Sequence, residues 1–159
     1  MPEGPAASRI GERLHDMVER AAPHLSALSE AQASVPRTPG KWSAKEIFGH
    51  LIDSASNNHQ RFVRGQLSDG LKMPGYEQTK WVSVQAYAAE PWADLVVLWR
   101  SYNIHLARVV ASIPQQALAH HVSIGDAGAP VTLEFVASDY VTHLLRHLSQ
   151  ILPGVAVDA

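Results

Sequence analysis

Cysteine is absent from all 159 residues. That excludes disulfides, thiolate metal ligands and a thiol nucleophile supplied by the chain itself. Any metal site must be built from histidine, aspartate or glutamate. Charge is also sparse: 18% of residues are charged and the formal net charge is −2. So slight a negative balance, with no basic stripe, argues against nucleic acid and acidic membrane surfaces as partners. No apolar run approaches the roughly 20 residues a membrane span needs. The opening residues, MPEGPAASRIGERLHD, lack the apolar segment of a secretory signal. The expectation is a soluble, cytoplasmic protein.

What is present is helical periodicity. The length suits one domain over residues 1–159. Ile10, Leu14, Met17, Val18 and Ala21 recur at steps of three and four, the pattern of a first amphipathic helix. Pro23 either ends it or opens a further short turn. Ser43-Ala44-Lys45-Glu46 is a capping box, which starts a second helix at Ala44 and carries it to about Arg64. Gly65 and Asp69-Gly70 mark its end. One or two turns of helix fit around Trp81–Ala88. Pro91 suits the first turn of a third helix, striped by Leu95, Trp99, Tyr102, Leu106 and Val110, and Pro114 stops it. Turn signals at Gly125-Asp126 and Gly128 leave room for a small β-hairpin. Thr132 then caps a last helix running to about Leu152, before Pro153-Gly154. Four long helices without a core strand define an all-α four-helix bundle.

Against that apolar background the histidines stand out. His143 and His147 lie four residues apart in VTHLLRHLSQIL, so their rings share one helix face and can converge on a metal. Chance also produces this spacing often, and two such histidines can be satisfied by water or backbone. A third ligand would come from another helix. His50 falls on a polar stripe with Ser54, Asn57, Asn58 and Arg61, beside Leu51 and Phe62. A polar stripe facing inward needs compensation, which a metal or a pocket would supply. His105, in the third helix, is the reserve ligand. Asp53 reads as a solvated carboxylate, with a role behind His50 as the alternative. His15, His24, His120 and His121 read as surface or loop residues, and His59 falls away from the His50 stripe.

Three segments carry a family resemblance. KWSAKEIFGHLIDSASNNHQRF resembles the second-helix signature of the DinB/YfiT-like superfamily. PGYEQTKW resembles the linker of its YfiT-like branch, and VTHLLRHLSQIL its last helix. Order and spacing agree from about Trp42 to Ile151. The resemblance implies a four-helix bundle, often dimeric, with a three-histidine metal site on His50, His143 and His147. It implies a divalent metal, zinc or nickel foremost. Some relatives carry a further histidine where this chain has Gln150.

Three neutral imidazoles would leave a cation its charge and an open position, able to acidify a bound water or a bound thiol. The resemblance implies hydrolysis, or S-transfer with a low-molecular-weight thiol as cosubstrate, on a small-molecule substrate, and such a site fits both. Asn57, Arg61, Tyr76 and Trp81 are the candidates for the pocket, with Arg61 placed to meet an anion. The competing reading is a non-catalytic, stress-related binding module with a structural or vestigial metal site, and a homodimer suits either.

Overall fold

The computed structural model describes residues 5–158. Its four long helices are α1 (Ala6–Ser26), α3 (Ala44–Leu67), α5 (Trp92–Ala111) and α7 (Leu133–Ile151). Short helices intervene: α2 (Glu30–Ser34), α4 (Gln78–Gln85) and α6 (Gln115–Leu118), with a 3-10 turn at Tyr87–Ala89. Around the bundle α1 packs on α5, α5 on α3, α3 on α7, and α7 closes against α1. α3 and α7, which carry the candidate histidines, are therefore direct neighbours.

The helix starts follow the side-chain chemistry. Ser43 accepts from the Glu46 amide while Glu46 accepts from the Ser43 amide, completing the expected box. A second box, Ser29 with Gln32, starts α2. Thr132 caps α7 by accepting from Phe135 N. Glu30 then ties three elements together: it pairs with buried Lys45 of α3 and accepts from the Trp92 amide that opens α5.

Several boundaries differ from the sequence reading. α1 runs through Pro23 despite the lost N–H, and Ala22 and Leu25 on either side of it are buried in the core. α3 continues past Gly65 to Leu67. α5 ends at Ala111, and Pro114 instead leads into α6. The expected hairpin exists as β2 (His121–Ile124) and β3 (Val131–Thr132), but it has a third member. β1 (Leu71–Met73) adds in parallel to β2, with Leu71 opposite Val122. Three residues carry too little alternation to show themselves in a sequence.

One close approach positions the site. A Cβ on Gly49 would lie 2.0 Å from the Tyr87 ring. Gly49 precedes His50, and Tyr87 holds Asp53, so this contact locks the 3-10 turn onto α3. Gly49→Ala is expected to destabilise the fold by about 1–3 kcal/mol through overpacking, read as a lower midpoint in urea with an unchanged slope.

A candidate three-histidine metal centre

His50 lies two turns into α3 and is 1% exposed. His143 and His147 face it from α7. His143 Nε2 stands 3.2 Å from His50 Nε2 and 3.2 Å from His147 Nε2. A ligand atom from each of the three lies within 4.8 Å of the other two. Tetrahedral zinc, with Zn–N of about 2.0–2.1 Å, separates neighbouring nitrogens by about 3.3–3.4 Å. The spacing therefore fits one cation shared by three imidazoles.

Proton bookkeeping points the same way. His147 Nδ1 lies 3.0 Å from Gln150 Oε1, an oxygen that can only accept. His147 therefore carries its proton on Nδ1 and presents a lone pair at Nε2. In the neutral cluster at most one of the two 3.2 Å contacts then has an N–H directed between its nitrogens. A cation accepts all three lone pairs at once. Gln150 thus does for His147 what outer partners do for metal-bound histidines generally, fixing tautomer and ring orientation. His50 Nδ1 is buried without a hydrogen-bond partner, and the Trp42 ring packs against His50 at 5.5 Å between centroids.

The rings are also held neutral. Burial pushes His50 down to about 4, helped by the positive charges of His147 and Arg146. His143 is likewise lowered to about 4, by burial first and then by His147, His50 and Arg146. Burial lowers His147 too, against the raising effect of Gln150. Neutral imidazole is the form that binds metal.

Two cavities reach this cluster. The larger, about 800 Å³, touches His147 and Gln150 and is walled by Leu28, Val35, Trp42 and Ile47. The smaller, about 310 Å³, touches His143 and is lined by Ser54, Arg61, Tyr76, Asp139 and Tyr140. Of the pocket candidates, Arg61 and Tyr76 thus stand in the small cavity. Asn57 lines neither and donates to the Asp53 carbonyl on its own helix. Trp81 packs against Tyr76 at 4.9 Å, behind the cavity wall.

Other placements complete or correct the reading. His105 is exposed and packs against His59, away from the cluster. His59 itself bonds the Tyr102 hydroxyl. Asp53 is not solvated: it is 2% exposed and accepts from Tyr87 Oη at 2.7 Å and Gln85 Nε2 at 2.8 Å. Burial raises its pKa against those two hydrogen bonds. Its tie is to α4 and the 3-10 turn. Asp139 was not singled out by sequence, although its spacing of four before His143 on α7 places it on that histidine's face.

The four-helix bundle thus brings three imidazoles together at the α3–α7 contact, where they could hold a metal ion. Residues 13–151 match the model of the DinB superfamily, and the chain belongs to that superfamily. The sequence is 22% identical over 128 residues to YfiT of Bacillus subtilis (strain 168), covering 80% of this chain and 71% of YfiT. The solved structure of YfiT, described as a probable metal-dependent hydrolase with an unusual four-helix bundle topology, superposes with a TM-score of 0.81. That match covers 96% of this chain and 87% of the YfiT chain at 17% identity, and it shows the shared fold.

Proposed function

We propose that this chain is a small divalent-metal-dependent hydrolase whose cation is held by His50, His143 and His147. The observation that carries the reading is the convergence of three neutral Nε2 atoms with 3.2 Å spacings. The name given to YfiT supports the same class. A divalent cation in this place supplies Lewis acidity that lowers the pKa of a ligated water or thiol and polarises a carbonyl. The chain's own residues orient and shelter. Gln150 fixes the His147 ring, and Trp42 packs on His50. The larger cavity, with apolar side chains in its wall beside His147, gives room for a small molecule.

One observation favours the transferase reading as runner-up. Among the described residues, the cluster holds no carboxylate of its own, and Asp139, which lines the cavity beside His143, is exposed. A thiol acidified by the cation needs none, and a chain without cysteine would take that thiol from a cosubstrate.

The test compares zinc- and nickel-loaded protein with the metal-free form on a panel of esters and amides, with and without a low-molecular-weight thiol. Thiol-independent turnover abolished by chelation is expected. Turnover that requires the thiol replaces hydrolysis with transfer. Stoichiometric metal with neither activity favours the binding module.

A further inference from the structure

Arg61 lies on α3, three turns beyond His50, and is 9% exposed. Its Nη1 donates to Asn58 Oδ1 at 3.3 Å. Its Nε is buried with no partner at all. The ion pairs of the described residues leave Arg61 out. A buried guanidinium without a counter-charge is costly, and cores rarely keep one. Folded proteins tolerate such breaches chiefly at functional sites. Arg61 lines the same small cavity as His143, so whatever neutralises it sits within reach of the histidine cluster.

We propose that Arg61 receives a carboxylate of the substrate at its guanidinium, in the cavity that opens onto His143. This rests on the metal-dependent reading only in calling the ligand a substrate. A guanidinium is planar and carries several N–H donors, which suits a planar carboxylate. Tyr76 and Ser54 line the space beside it and can orient the group. Asp139 lines the cavity too, but it is exposed. Its negative charge, set against one buried cation, disfavours a doubly charged phosphate and leaves a monoanion as the fitting ligand. The volume of about 310 Å³ sets the scale of the part bound there: a short carboxylate-bearing arm.

The test uses metal-free protein, so that carboxylate ligation to a cation cannot contribute. Butyrate, butyramide and inorganic phosphate are titrated into wild type, Arg61→Gln and Arg61→Lys, followed by amide and side-chain shifts in NMR. Butyrate is expected to shift the signals of Ser54, Tyr76 and His143 in wild type, while the neutral amide does not and phosphate binds more weakly. Arg61→Gln should weaken butyrate roughly 10–100-fold, the loss of charge-assisted hydrogen bonds, and Arg61→Lys should fall between. Thermal denaturation supplies the second readout: Arg61→Gln should melt at or above the wild-type temperature, because it removes an unpaired buried charge. Equal butyrate binding in Arg61→Gln, or none in wild type, overturns the proposal. A melting temperature several degrees lower in Arg61→Gln, without a selective loss of butyrate, makes Arg61 structural and overturns it as well. Zinc titration of wild type decides the metal reading separately, whatever butyrate does.

Discussion

Alanine at His50, His143 or His147 is expected to abolish stoichiometric binding of a divalent cation, whereas His105→Ala leaves it intact. Each of the three supplies one convergent nitrogen, and His105 lies outside the group. Loss of an outer partner typically costs about 10–100-fold in metal affinity. Gln150→Ala, which frees the His147 tautomer, should fall in that range, and each ligand substitution should exceed it. Titration with zinc against a competing chelator gives all five affinities. Extended X-ray absorption of the zinc form should report imidazole nitrogens at about 2.0–2.1 Å. If His50→Ala keeps wild-type affinity, the pair on α7 binds metal without α3, and the convergence across the two helices is not a metal site.

The helix faces of the three clustered histidines were legible from local signatures, while their grouping as one site was implied by the family resemblance. Ser43 and Glu46 fix where α3 begins, and His50 then sits at a known rotation. His143 and His147 need only helical spacing. Thr132 announces α7 in the same way. The long helices likewise follow from apolar periodicity, which depends only on residues near in sequence. The misread parts depend on partners brought in from elsewhere. Asp53 read as solvated because nothing nearby shows that Tyr87 and Gln85 fold back over it. β1 exists because β2, some fifty residues later, offers it a ladder. Gln150 registered in sequence as a missing imidazole, while its hydrogen bond to His147 depends on side-chain placement at a helix end. The burial of Arg61 was equally hidden: a sequence shows an arginine on a polar stripe, and only the packed structure shows that among the described residues no ion pair includes it.

The pH dependence of metal binding should set this site apart from three exposed histidines. Protons compete with a cation only where the rings titrate. For two rings with the ordinary value near 6.5, lowering the pH to about 5.5 would cost roughly 100-fold in affinity. Here burial holds His50 and His143 at about 4, and lowers His147 as well. Affinity is therefore expected to stay nearly level from pH 8 to about 6 and to fall steeply only as the pH approaches 4. The stability of the metal-free fold behaves differently. The folded-state values lie below the unfolded value near 6.5, so between about pH 6.5 and 4 the unfolded chain binds more protons. Stability from the neutral rings is complete above pH 6.5 and is lost as the pH falls towards 4. Metal, bound by the folded state alone, offsets that loss by mass action. Melting curves at pH 5, 6, 7 and 8 should show the metal-free midpoint falling through this range while the zinc-loaded midpoint moves much less. A zinc affinity that drops tenfold or more between pH 7 and pH 6 would mean that the rings titrate as exposed histidines do, and the buried, neutral cluster would have to be abandoned.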